Sequence, residues 1–234
     1  GFQNRDLFHS LLSNGAVNDK YFSMSGGDYR FRHFLSFSSR KEEGMIIWKD
    51  KNYFDRKTVR ANFDFLPLDN LSLSLNTSYS SIDAIMPPSD NHIYGLMYNT
   101  LVAYSPWQES DSTSLSQLGI KFGSKRLVAS ANVKYYPFKN NYRFGLNTVQ
   151  LNAKFGIDDV ERKNSNLFPS GFNYALFNGG FKALVNSNET NTIFDFGASH
   201  NYNFGGINTT TSFSAQFYDH LWAVSYTHLT LPTT

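Results

Sequence analysis

Aromatic rings gather in one stretch of the chain, where Pro87-Pro88, His92, Tyr94, Tyr98, Tyr104, Pro106 and Trp107 all fall between Asp83 and Arg126. Flat aromatic faces held out on a loop can stack on sugar rings, which makes Tyr94, Tyr98 and Trp107 the candidate substrate-binding residues. The plainer alternative is that these rings pack the loop against itself or against a partner. Bond-breaking chemistry has less to work with. No Gly-x-Ser-x-Gly elbow and no zinc-protease pair of histidines occurs. The six histidines are scattered, and only His33, His200 and His220 stay open as partners for a serine. Asp158-Asp159 with Glu161 could offer carboxylate oxygens to Ca²⁺, but the spaced ligands and glycine of an EF-hand loop are missing. No catalytic residue, metal site or cofactor is therefore assigned.

Composition narrows the class of fold. Across 234 residues, 41% are hydrophobic and 17% charged, which suits a folded chain of one large all-β domain rather than disorder. Aromatics are the outlier, with 22 Phe and 14 Tyr; such residues favour strands and concentrate in the girdles of membrane barrels. Lys and Arg number 21 against 19 Asp and Glu, so no net field draws nucleic acid, and no nucleic-acid partner is expected. The absence of cysteine removes disulfides, thiolate zinc sites and cysteine nucleophiles. No apolar run approaches the roughly 20 residues of a helical span, so any membrane crossing would be made by strands. The opening Gly1-Phe2-Gln3-Asn4-Arg5 lacks an initiator Met and the apolar core of a signal peptide.

The run Leu71-Ser72-Leu73-Ser74-Leu75-Asn76-Thr77-Ser78-Tyr79-Ser80 sets the theme. Its odd positions are oily or amphipathic and its even ones small and polar, the period of a strand with one face in hydrocarbon and one in water. The same period predicts strands near Tyr21 to Ser25, Tyr29 to Ser39, Lys57 to Phe65, Leu127 to Tyr136, Tyr142 to Phe155, Phe194 to Phe204 and Ile207 to Phe217. In the sixth of these eight the apolar phase changes, which predicts a β-bulge near Asn147-Thr148.

Connections of two kinds alternate along the chain. Tight turns are expected at Gly26-Gly27, Pro67 to Asn70, Pro137 to Asn141 and Gly205-Gly206, and long links at Arg40 to Arg56, Asp83 to Arg126 and Asp158 to Thr190. Such sorting, with long loops outside and short turns inside, is what membrane barrels show. Strands of about nine tilted residues would cover an apolar band of roughly 25 Å. The polar face, mostly Ser, Asn, Thr and Gly, is wrong for the inside of a soluble sandwich and right for a wet lumen. The expected architecture is an antiparallel transmembrane β-barrel segment of about eight meander strands, cut from a wider wall. Arg40 to Glu43 and Lys49 to Lys51 could meet lipopolysaccharide or divalent ions, although a solvated loop accounts for them more cheaply. Two rivals stand beside the barrel: a soluble β-sandwich for carbohydrate binding or adhesion, and a barrel-type lipid hydrolase.

Several segments carry a family resemblance. Asn18-Asp19-Lys20-Tyr21-Phe22-Ser23-Met24-Ser25-Gly26-Gly27 and the aromatic strand ending in Arg40-Lys41-Glu42-Glu43-Gly44 resemble the first barrel hairpin of the TonB-dependent outer-membrane transporters of the Bacteroidetes SusC/RagA-like type. Arg56 to Tyr79 is similar to the next hairpin of that family. Phe155-Gly156-Ile157-Asp158, Phe168-Pro169-Ser170-Gly171 and Phe204-Gly205-Gly206 follow in the family's order, so the resemblance covers nearly all of Gly1 to Ala223. It implies a piece of a 22-stranded-type barrel and a non-enzymatic importer of oligosaccharides or peptides. The implied setting is the bacterial outer membrane and its lipid, with a SusD-like lipoprotein lid and the TonB complex as partners of the full-length parent. The family's plug and TonB box have no counterpart in these residues.

The end of the chain reads differently. Val224 to Thr233 looks like the translation of a transposase-type sequencing adaptor, which predicts a partial barrel domain over 1–223 and a non-native tail over 224–234. The alternative is a ninth strand, since Tyr226, His228 and Thr230 alternate with other residues.

Overall fold

The computed structural model describes residues 12–87, 119–138, 148–168, 180–204 and 206–230. They form a single antiparallel sheet of eight strands in chain order. The strands are β1 Ala16–Gly27, β2 Phe31–Glu43, β3 Tyr53–Leu68, β4 Leu71–Met86, β5 Gly119–Tyr135, β6 Thr148–Phe168, β7 Phe181–Phe204 and β8 Ile207–Thr230. Each strand pairs with its neighbours in sequence, so β1 and β8 each have one strand partner among the described residues. The all-β meander expected from the periodicity is what forms.

Two of the tight turns can be followed closely. In the first, Asp28 to Arg30 cross between β1 and β2, and the amide of Asp28 donates to the carbonyl of Phe31 at 2.7 Å. Gly26 and Gly27 close the end of β1 rather than forming the turn itself, and Gly27 has φ +127°. A Cβ there would stand 2.0 Å from the carbonyl oxygen of Phe31, so only glycine fits. In the second, Asp69-Asn70 link β3 to β4, and the register slips between Phe65 and Leu68. That slip is a bulge at Leu66-Pro67, where a proline that cannot donate to the ladder is accommodated. The bulge expected near Asn147-Thr148, and the strand start from Tyr142, fall on 139–147, outside the described residues apart from Thr148.

Every strand runs further than the alternation of oily residues suggests, always toward the long connections. β7 and β8 have 24 residues each, more than twice the 9 to 11 or so that cross a bilayer. The links shrink accordingly: the one expected over Arg40 to Arg56 spans only Gly44 to Asn52, where Lys49–Lys51 form a single 3-10 turn. The expected link Asp158 to Thr190 likewise gives way to the outer halves of β6 and β7. The physical reason is a change of environment along each strand. Past the apolar band the outward positions become charged and the inward ones apolar, so the hydrophobic phase inverts without a change of register. On β3 the inward Phe54 lies between the outward Tyr53 and Asp55; on β4 Ile82 and Ala84 point inward beside the outward Asp83.

Only four apolar side chains are buried among the described residues: Trp48, Ala84, Val160 and Phe168. The last three lie on the inward face of these outer extensions. The sequence proposed as a non-native tail is continuous with β8, Val224 to Thr230 pairing with Phe181 to Ser187.

Candidate functional site

Because paired residues in an antiparallel ladder share a face, the register sorts every side chain onto one of two surfaces. One surface carries the rows Phe31, Phe65, Leu73, Val133, Ala153, Phe196 and His33, Phe63, Leu75, Ala131, Phe155, Phe194. Two rows further on are Phe37, Val59, Tyr79 and Leu127. These side chains are not covered by a second layer. Phe37 is 42% exposed, Val59 48% and Phe155 46%. A β-sandwich buries its inward rows against another sheet, and the described residues form only one.

The oily surface is a tilted band. Phe31 shares a row with Phe196, yet β7 continues eight residues past Phe196 before its own turn. A slip of about eight residues at about 3.3 Å, over five strand steps at about 4.8 Å, corresponds to a strand tilt of roughly 48°. Both edges of the band slip in the same sense. The edge toward the long connections steps from Leu127 on β5 to Ile157 on β6 and Phe194 on β7, and the hairpin-side edge steps from Phe31 on β2 to Tyr135 on β5 and Tyr202 on β7. The band therefore stays nine residues tall on β5 and on β7, which at that tilt is roughly 20 Å, comparable with the roughly 25 Å apolar height of a membrane barrel.

The opposite surface is polar along the same stretch. Ser74 Oγ donates to Asp64 Oδ1 at 2.8 Å, Thr210 Oγ1 to Asn201 Oδ1 at 2.8 Å, and Tyr218 Oη to Asn191 Oδ1 at 2.7 Å. Arg126 pairs with Asp158 and Arg162 with Glu189, each across a strand boundary. This surface holds a cavity of about 620 Å³ whose lining includes Ser36, Ser38, Thr58, Ser78 and Ser80 with Arg56, Arg60 and Arg126. Every one of these lies on the polar face. Hydroxyls and guanidinium groups are all hydrogen-bond donors, so such a wall can hold water and oxyanions in passage.

The fold has counterparts among solved structures. Its backbone matches a chain of the RagAB peptide importer in a "closed-closed" state with a TM-score of 0.75, at 14% identity over 97% of this chain. A second structure, of the RagAB peptide transporter, matches with a TM-score of 0.73 at 15% identity over 96%. The sheet is a segment of a barrel wall. In both cases this chain spans 27% of the length of the chain it matches, and identity so low speaks to the fold alone. No family model and no curated protein matches the sequence.

The residues singled out by type now have places. Tyr94, Tyr98 and Trp107 lie outside the described residues. Asp158 and Asp159 are neighbours on a strand and therefore point to opposite faces: Asp158 meets Arg126 inside, while Asp159 accepts a hydrogen bond from Thr190 Oγ1 at 2.6 Å on the outward face. They cannot converge on one Ca²⁺, and no metal-holding cluster of His, Asp and Glu occurs among the described residues. His33 and His200 sit on the oily face, and His220 faces the polar side with Nε2 3.6 Å from Glu189 Oε1. Arg40 to Glu43 is strand rather than loop, with Arg40 paired to Asp19 and Glu42.

What sequence reading missed is the outward charged collar beyond the band. Lys41 lies 3.8 Å from Asp55, Lys121 3.5 Å from Asp83, and Lys163 2.7 Å from Glu161. The Lys163 hydrogen bond, followed by its charge, holds the Glu161 carboxyl below the usual range. Tyr53 Oη donates to Asp83 Oδ2 at 2.8 Å, and burial first, then this contact, raises its pKa. The signal was present as charges spaced two apart on β3 to β6. It was hidden because those charges sit where the oily phase has already ended.

Proposed function

We propose that this chain is wall and outer extension of a TonB-dependent importer of the SusC/RagA-like kind, seated in the bacterial outer membrane. It works by regulated passage rather than by making or breaking bonds. The observation that carries the reading is the band: an oily belt of constant height that follows the strand tilt on one face, backed by a hydrogen-bonding face on the other. The likeness to a peptide importer supports the transport reading and favours peptides over oligosaccharides as the cargo. A SusD-like lipoprotein would close over the long connections, and the TonB complex would act on the parent protein rather than on this wall. Tyr94, Tyr98 and Trp107 are proposed to touch the cargo or the lid.

Single cysteines in the parent protein, in intact membranes, test the band. Residues Val59, Phe63 and Phe37 should react with a lipid-dissolved label and resist an aqueous one, and Thr58, Asn62 and Ser36 should do the reverse. Uniform aqueous labelling of both sets would refute a membrane wall. For the loop, Tyr98→Ala with Trp107→Ala should lower peptide uptake, and unchanged uptake would remove those rings from the cargo path.

A further inference from the structure

On the outward face, the row just past the last oily one reads Lys20, Ser39, Lys57, Ser81, Lys125 from β1 to β5. Lysines alternate with serines, strand by strand. All three lysines are exposed, and none belongs to an ion pair among the described residues. Asp55 pairs with Lys41, Asp83 with Lys121 and Asp159 with the Thr190 hydroxyl, while Glu161, hydrogen-bonded to Lys163, continues the row on β6 directly across the ladder from Lys125 and attracts its charge. The preceding row is Phe22, Phe37, Val59, Tyr79, Leu127, so each lysine starts about 6.6 Å along its strand from a hydrocarbon-facing side chain.

Tilt gives this row depth. Rows climb away from the hairpin ends as they pass from β1 to β5, so Lys20 stands at the hydrocarbon edge and Lys125 furthest out. Beside Lys125, Gly123 leaves a gap in the outward face, where a cavity of about 520 Å³ is bordered by three lysines, Lys121, Lys125 and Lys163, against two carboxylates, Asp83 and Glu161, with Leu184 as an apolar wall. An apolar wall, the ammonium groups of Lys20 and Lys57 without a carboxylate partner among the described residues, an excess of lysine over carboxylate at the cavity and interleaved hydroxyls at graded height match an amphiphile with an anionic head.

We propose that the Lys20, Lys57 and Lys125 row, with the cavity floored by Gly123, binds phosphate-bearing lipid headgroups in the leaflet on the long-connection side. Lysine stems lie along apolar surface while their ammonium groups reach the headgroup layer. There a phosphate oxygen supplies counter-charge to Lys20 and Lys57 and completes that of Lys125, whose facing Glu161 is shared with Lys163, and the serine hydroxyls add donors. The proposal rests on the membrane-wall reading above and is independent of the cargo.

The test uses the parent barrel protein reconstituted in phosphatidylcholine bilayers with spin-labelled phosphatidic acid or spin-labelled phosphatidylcholine. The motionally restricted fraction of each label gives the selectivity. Combining Lys20→Gln, Lys57→Gln and Lys125→Gln should lower the preference for phosphatidic acid at least about threefold, while Lys134→Gln with Lys154→Gln, on the polar face, should leave it unchanged. The three lysines replaced by arginine should retain it, which separates loss of charge from loss of fold. Preference kept in the triple glutamine variant, or lost equally in the polar-face control, overturns the proposal. So does release of the lipid by inorganic phosphate alone. A label at Val59 in the same bilayers tells the two readings apart. If it meets lipid while the lysine row shows no preference, only the headgroup site fails; if it meets water, the wall reading fails first.

Discussion

Arg126 and Asp158 lock β5 to β6 across the polar face, with Nε 2.8 Å from Oδ1 and Nη2 2.6 Å from Oδ2. Two parallel hydrogen bonds fix the guanidinium plane, the strongest geometry available to such a pair. Yet the Arg126 side chain remains 54% exposed, so water screens most of the Coulomb attraction. Asp158→Asn and Arg126→Gln should each cost little stability, and a double-mutant cycle should show a coupling of about 0.5–1 kcal/mol. Urea unfolding of the reconstituted barrel measures it. A coupling several times larger would mean that this stretch of the wall is closed off from water.

Phe63 and Asn62 are neighbours on β3 that face opposite solvents, which makes them a matched pair for the central claim. Phe63 sits inside the band, one row from its hairpin-side edge, in the row of Leu75, Ala131 and Phe155. Phe63→Arg should destabilise the barrel by about 1–3 kcal/mol, the depth-dependent cost of a cation on the lipid face between interface and midplane. Asn62→Arg, among Ser and Asn side chains, should cost less than about 1 kcal/mol, as surface substitutions do. Equal costs at the two positions would contradict the assignment of faces.

The pairing order and the sidedness of the band were legible in the sequence because Leu71 to Ser80 and its repeats alternate with a strict period of two, and a meander follows from the short turns. The strand ends were not. At Asp55, Asp83 and Glu161 the outward face passes from lipid into water, so charge replaces hydrocarbon while the backbone continues. Periodicity of oily residues reports the solvent, and only indirectly the strand. The same limit hid the lysine row, since Lys57 and Lys125 lie far apart in the chain and meet one row only through the register with Ser81. His33 shows the converse case. As a type it suggested chemistry, and its row places it between phenylalanines on the oily face.

Asp28 gives the first hairpin a dependence on pH. Its carboxylate accepts hydrogen bonds from the amides of Arg30 at 2.7 Å and Phe31 at 2.9 Å, and these bonds, the Phe31 amide first, lower its pKa. A depressed carboxyl pKa contributes stability that is fully present above the unfolded value of about 3.9 and is lost as pH falls through the folded value. The amide of Phe31 should therefore exchange slowly at neutral pH and lose protection only in acid below that range. Asp28→Asn, whose side-chain oxygen still accepts, should keep the turn and abolish the acid-dependent step. A step that persists in the variant would assign the titration to another group.

Residues 224 to 230 pair along β7, yet pairing alone says little about whether they belong to the native protein. The outer half of β7 offers Phe181 to Ser187 a free ladder edge once β8 ends, and a Thr-, Ser- and Tyr-containing extension has the propensity to fill it. Little apolar surface is covered there, since Ser225, Tyr226 and Thr227 are exposed and Val224 only partly shielded. A chain ending at Ala223 should thus keep the ladder from Phe204 with Ile207 to Asn188 with Ala223, and keep the slow amide exchange of that stretch. Faster exchange should appear only over Phe181 to Ser187, whose partners have gone. If truncation instead removes protection along the whole of β7 and β8, the last residues are an integral part of the wall and the reading of a non-native tail is wrong.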